Sequence, residues 1–406
     1  MVLTWGETKI KSLSDNMVEK IKVYYPNLGI HTYIQTLINN PPKDYEFVTI
    51  DHPNKKNFIS SIKKSSFAVW VYTKIIKNIF NVFGLINKLY YSHSPENTKL
   101  VFSTGPLIPE SKPWILKILD TPFSLGGNDY KVFLNNKDNI EKGLLSPYCK
   151  KIIVHTKRCF DHMDKYFSKE VMKKVMLLTP AIPGEYIKRQ HRPENHPLTF
   201  LFIGSINNPD EFLMKGGLEA LESFKKVSSK YPETKLIMRC KVPEKIKERY
   251  SSVKGVEFIE EIVSFEELQK IYLKSDALLM PGYGYFIMAF LEAFQYGLPI
   301  LSLDTYGVSE FIKNGKTGFY VSPSAQIPTR TNEYPSNIRN KAFAESILRL
   351  DPLVIQQLKE KLELLINNRK LLLKMSRECQ KEFTSKYSYA IKISKLKKVF
   401  DKALIT

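Results

Sequence analysis

Short runs of β-branched and aromatic residues alternate along the chain with longer stretches whose apolar positions recur at helical spacing. Ile21–Tyr25 is such a run; it stops at Pro26 and reads as a buried strand. A turn at Asn27-Leu28-Gly29 follows, and Ile30, Tyr33, Ile34 and Leu37 predict a helix up to Asn39. A strand, a glycine turn and a helix in that order open a Rossmann-like unit. Further strands are predicted at Glu46–Ile50, Leu100–Ser103, Trp114–Leu119, Lys151–His155 and Val175–Leu178. Helical or loop segments separate them, which implies a parallel sheet covered on both faces.

Residues 188–197 (KRQHRPENHP) are polar and charged, carry proline and lack apolar periodicity, so they read as a linker. After them the pattern restarts with a strand at Thr199–Ile203, a glycine loop and a helix around Leu218–Ser228. Strands at Lys235–Met238, Val256–Ile259, Ala277–Met280, Pro299–Ser302 and Gly318–Val321 complete a second Rossmann-like set. Residues 322–340 suggest a surface loop, and the chain looks helical from Leu350 to Thr406. The fold class is therefore α/β, with two doubly wound parallel-sheet domains at 1–190 and 191–385 and a terminal segment, 386–406. Such sheets hold ligands outside the carboxyl ends of their strands, which makes a cleft between the domains the expected site.

Composition agrees with this reading. The chain has 406 residues, enough for two domains of about 200 each. It is 43% hydrophobic and 12% aromatic, which excludes a disordered chain. No apolar run approaches the length of a membrane-spanning helix, and residues 1–20 lack the apolar core of a secretory signal. Cys149, Cys159, Cys240 and Cys379 show no metal-ligand spacing and are expected as buried free thiols of a cytoplasmic protein.

The net charge is +20 and unevenly spread. Residues 1–190 carry 28 basic and 16 acidic side chains, residues 191–385 carry 27 and 24, and residues 386–406 carry 6 and 1. Basic ends attract anionic lipid, nucleic acid or phosphorylated substrates. Residues 55–90 add seven lysines and no acid, interleaved with Phe58, Phe67, Trp70, Tyr72, Phe80 and Phe83. That combination predicts either docking on an anionic membrane surface, together with the lysine-rich end of the chain, or covering helices of the first sheet.

The chemistry concentrates in Leu278–Val321. A buried strand enters Pro281-Gly282-Tyr283-Gly284, and a helix is predicted to start near Tyr285. The glycines let backbone N–H groups approach a ligand, and the helix N-terminus favours an anion such as a diphosphate. Glu292, about two turns into that helix, needs a partner if it is buried and could otherwise accept the hydroxyls of a ribose.

This stretch resembles the C-terminal half of the family-4 group of retaining GT-B glycosyltransferases. The shared features are Pro281, Phe286, Leu291-Glu292-Ala293, Gly297 and Pro299, followed by Ser309-Glu310 and Gly315-Lys316-Thr317-Gly318-Phe319. The resemblance extends back to Phe202-Ile203-Gly204 and Lys215-Gly216-Gly217, covering 198–321 well and 20–180 loosely. It implies a GT-B fold with an acceptor-side domain, a donor domain and a terminal helix returning to the first domain. It further implies a nucleotide-diphosphate sugar as donor, a lipid-linked or polysaccharide acceptor, net retention and no metal or other cofactor. The donor-binding candidates are Gly29, Gly204, Ser205, Lys215, Arg239, Tyr283, Gly284, Phe286 and Glu292, with Lys215 on the diphosphate and Glu292 on the ribose.

The departures are also specific. The first glutamate of the family's Glu-x7-Glu pair is Gly284 here, and the arginine after the first glycine loop is Ser205, for which Arg239 is a candidate replacement. The histidine common after the fourth strand is absent; Asp120 remains there as the catalytic candidate, or as a turn residue. His31, His93 and His155 have weaker claims. No D-x-D carboxylate pair is present, and lysine with a helix N-terminus can balance a departing diphosphate. Competing readings are a catalytically silent partner subunit, favoured by Gly284 and Ser205, and a basic nucleic-acid binder, for which no recognisable motif exists.

Overall fold

The computed structural model describes residues 19–26, 32–50, 93–105, 107–188, 196–206, 209–323 and 341–405. Gly29, His31, the basic segment 55–90, most of the linker and most of the 322–340 loop lie outside the described residues.

Among the described residues twelve strands form two sheets of six, and all of their pairings are parallel. The first contains β1 (Ile21–Tyr24), β2 (Tyr45–Val48), β3 (Leu100–Ser103), β4 (Trp114–Ile118), β5 (Cys149–Val154) and β6 (Val175–Leu177), in the order β2-β1-β3-β4-β5-β6. The second contains β7 (Thr199–Ile203), β8 (Lys235–Arg239), β9 (Val256–Ile259), β10 (Ala277–Leu279), β11 (Ile300–Leu303) and β12 (Gly318–Val321), in the order β12-β11-β10-β7-β8-β9. The central strands β4, β7, β10 and β11 are buried at every position, as parallel strands covered on both faces are.

The chain divides into two compact units. One runs from Pro180 to Tyr389 and packs its core around Phe200, Phe202, Leu278, Phe290 and Leu301, with the helix Gly217–Ser228 against Pro352–Asn367. The other extends to Thr179 and recruits Ala390–Thr406. The last helix, Tyr389–Ile405, brings Phe400 against Tyr45, Phe47 and Phe102, and Tyr45 donates its hydroxyl to Asp401 at 2.7 Å.

That docking changes the reading of the basic tail. Lys392 is buried, and burial pushes its ammonium well below the usual lysine range. Lys397 pairs with Asp44 at 3.3 Å and Asp401 at 3.1 Å. Of Lys392, Lys395, Lys397, Lys398 and Lys402 in the lysine-rich end, Lys395, Lys398 and Lys402 are exposed. A helix with an apolar seam must turn some of its long side chains inward, and charge counting cannot say which.

All four cysteines are free and buried. Among the described residues, no helix is long and apolar enough to cross a membrane.

Candidate functional site

In the second sheet, chain order reverses between β7 and β10, whose loops therefore run to opposite sides of a crevice at their carboxyl ends. The candidate residues collect there. Gly204 follows β7, and its N–H bonds to the Arg239 carbonyl at the end of β8, at 2.9 Å. A side chain at 204 would lie 2.5 Å from Cys240 Cβ, so glycine permits this close approach. Ser205 accepts the Lys241 N–H at 2.8 Å through its carbonyl, which ties the two loops together.

Lys215 ends the short helix Asp210–Met214. Its ammonium sits 5.2 Å from the centre of the Phe286 ring and 3.3 Å from Glu211, with only 14% of the side chain exposed. Gly216 then takes φ +77°, and a Cβ there would fall 2.0 Å from the Pro281 carbonyl oxygen. The Tyr283 N–H also bonds to the Met214 carbonyl, at 2.7 Å. The lysine turn is thus fastened directly to the Pro281-Gly282 loop. Gly216→Ala is expected to lose several kcal/mol of stability, from left-handed strain together with a backbone clash. Urea denaturation of the variant checks this.

The loop itself is held from beneath by two buried hydroxyls. Ser302 donates to the Met280 carbonyl and Thr305 to the Gly282 carbonyl, both at 2.8 Å. Neither residue stood out in the sequence, since a hydroxyl on a buried strand signals nothing until its partner is known. The helix after the loop is Ile287–Gln295, slightly later than predicted, with no acidic residue in its first turn. Tyr283 is fully buried and donates its hydroxyl to Glu219 at 2.6 Å, which makes it a strut between loop and helix.

Glu292 is half-buried and has a partner: the Tyr272 hydroxyl donates to its Oε2 at 2.6 Å. Burial pushes the Glu292 carboxyl up, opposed by the Tyr272 hydrogen bond, Lys215 and Arg239. Arg239 is 8% exposed, and its Nε has no hydrogen-bond partner among the described residues. Burial also depresses the guanidinium, against the pull of Tyr272 and Glu292. Lys215, Arg239 and Glu292 therefore lie close together at the switch point, with Glu211 paired to the Lys215 ammonium and an under-satisfied guanidinium among them. This is an anion-receiving arrangement with a hydrogen-bond acceptor beside it.

The sequence of this unit has known kin. Residues 197–350 match the family of glycosyl transferases group 1. Over these residues the chain is similar to glycosyltransferases. Solved structures extend the likeness to both sheets: HepE from Anabaena, in complex with UDP and glucose, is 7% identical, with 94% of this chain and 100% of that one covered at a TM-score of 0.59. WaaG, a glycosyltransferase involved in lipopolysaccharide biosynthesis, is 14% identical, with 92% and 98% covered at 0.56. The pneumococcal O-GlcNAc transferase GtfA is 14% identical at 0.53, with 80% of this chain covered. The chain spans 60% of the length of GtfA. At these identities the likeness establishes the fold, and the fold is GT-B. No significant match exists among curated protein sequences.

In the first unit, Asp120 follows β4 and is bound by Arg158 Nη1 at 2.6 Å, from the helix Lys157–Tyr166. Burial pushes its carboxyl up while the guanidinium pulls it back. The adjacent cap is Thr121, which caps the turn Pro122–Gly126 and lies 3.5 Å from His162 Nδ1. His162, absent from the sequence candidates, is held neutral by burial and by Arg158, with its pKa lowered to about 4. His155 is buried and His93 pairs with Glu110. At this sheet's own switch point, between β1 and β3, the Tyr25 hydroxyl meets Thr104 Oγ1 at 2.6 Å.

Proposed function

We propose that the protein transfers a sugar from a nucleotide-diphosphate sugar to a lipid-linked or polysaccharide acceptor, with net retention and without a metal ion. The observation that carries this reading is the buried Arg239 with an unpartnered Nε, beside Lys215 and Glu292 at the β7/β10 switch point. Lys215 and Arg239 receive the diphosphate, helped by the N-terminus of Ile287–Gln295, and stabilise the charge that develops as it leaves. Glu292 accepts ribose hydroxyls. Gly284 and Ser205 offer the donor only backbone groups or a hydroxyl, so Arg239 takes over the positive charge absent at 205. Asp120, at the end of β4 in the first unit, is the candidate catalytic carboxylate.

Proposed neighbours in function are consistent with this. HepE was solved with UDP and glucose and GtfA with UDP and GlcNAc. The acceptor docks with its membrane or glycan carrier through the basic first unit and residues 55–90, on the inner membrane face. A catalytically silent partner subunit remains the second reading, favoured by Gly284.

The test is release of nucleoside diphosphate from a panel of nucleotide sugars incubated with lipid-linked and polysaccharide acceptors. Turnover with one donor is expected to persist in excess chelator and to yield the donor's anomeric configuration by proton NMR. Activity that disappears with chelator and returns with Mg²⁺ or Mn²⁺ contradicts the metal-free mechanism. Donor binding without turnover favours the silent subunit.

A further inference from the structure

We propose that Tyr272 is a positioning residue for nucleoside recognition, holding the Glu292 carboxylate in the one orientation that receives a vicinal diol. The inference rests on the nucleotide-sugar reading above and adds to it a residue from a different helix.

Tyr272 lies near the end of the helix Phe265–Lys274, which precedes β10, whereas Glu292 lies on the helix that follows it. Two contacts fix the tyrosine. Its hydroxyl donates to Glu292 Oε2 at 2.6 Å, and its ring stacks on Tyr296, with centroids 4.7 Å apart and planes 8° from parallel. Glu292 and Tyr296 are four residues apart, so the stacked ring and the carboxylate sit on neighbouring turns of one helix face. The Tyr272 side chain is 2% exposed, which keeps water from competing for the carboxylate. Burial and Glu292 push the phenol well above its ordinary range, so it is a protonated donor at neutral pH.

A carboxylate that must accept two hydroxyls at once loses affinity if its plane can rotate. With Oε2 anchored, the plane is set and Oε1 stays available, because the Glu292 carboxylate accepts no other hydrogen bond among the described residues. Such preorganisation strengthens binding without any contact between Tyr272 and ligand.

Calorimetric titration of UDP, GDP, ADP and CDP, each beside its 2′,3′-dideoxy analogue, tests this on the full chain. Wild type is expected to prefer one ribonucleotide over its dideoxy analogue by about tenfold or more, the scale of a hydrogen bond to a charged group. Tyr272→Phe keeps the stack and removes the donor; its preference is expected to fall to about threefold or less, with dideoxy affinity unchanged. Loss of binding on acidification should also begin at a higher pH in Tyr272→Phe, because the Tyr272 hydrogen bond lowers the Glu292 carboxyl. Tyr296→Leu, which frees the ring but keeps both hydrogen-bonding groups, is expected to lose part of the preference.

The failures separate. Wild type binding none of the four sinks the nucleotide reading and this inference with it. Binding without a ribose preference removes Glu292 from the ribose. A full preference and an unmoved pH profile in folded Tyr272→Phe and Tyr296→Leu overturn the positioning role alone.

Discussion

Lys215→Ala and Arg239→Met are each expected to weaken nucleoside diphosphate binding by about 10- to 100-fold, and the double variant to abolish it at accessible concentrations. Both side chains are largely desolvated before ligand arrives, so a diphosphate oxygen meets them at little further cost. The stability change is the sharper signature. A buried cation whose folded pKa is depressed costs stability at every pH below that pKa, so at neutral pH Arg239 destabilises the ligand-free fold. Glu292 has the same sense: an acid raised by burial contributes stability only in its protonated form, and that contribution is lost as pH rises through its folded value. At pH 7, Arg239→Met should therefore melt no lower than wild type while losing its ligand. Thermal melts run with and without nucleoside diphosphate check both halves. A variant that melts several degrees lower yet binds normally would make Arg239 a structural residue.

Asp120→Ala is expected to destabilise the protein by about 3–5 kcal/mol, because it removes a carboxylate paired with a buried guanidinium. The Arg158 side chain is 7% exposed and bonds Asp120 at 2.6 Å. Adding Arg158→Met to Asp120→Ala removes the buried charge that Asp120 balanced and should recover most of the loss. Urea denaturation of the single and double variants measures this cycle. The cycle also separates the two roles open to Asp120. If the double variant regains stability but not sugar transfer, the carboxylate acts on substrate; if it regains both, Asp120 serves to hold Arg158.

Strand positions were well marked in the sequence, since buried parallel strands are short apolar runs bounded by turn residues. Leu100–Ser103, Thr199–Ile203, Val256–Ile259 and Gly318–Val321 match their predicted limits, and the other strands differ by a residue or two at one or both ends. The Leu278–Val321 motif was equally visible because its chemistry depends on sequence-local features: a strand end, glycines and a helix start. What the sequence hid is long-range. Tyr272 and Glu292 are 20 residues apart, Thr305 and Gly282 are 23, and Arg158 and Asp120 are 38. No local pattern encodes which hydroxyl or guanidinium will cross a sheet to reach a given carboxylate. The same limit explains Tyr283, whose place in the motif suggested ligand but whose hydroxyl meets buried Glu219, and Lys392, whose charge suggested surface.

The central claim is that the β7/β10 switch point receives a nucleotide-diphosphate sugar. Its most direct measurement is calorimetric titration of wild type and Lys215→Ala/Arg239→Met with nucleoside diphosphates and their sugars. One nucleoside diphosphate and its sugar should bind wild type at micromolar strength and the double variant not measurably. If no nucleotide binds wild type, or if the double variant binds it equally well, the site has been misassigned.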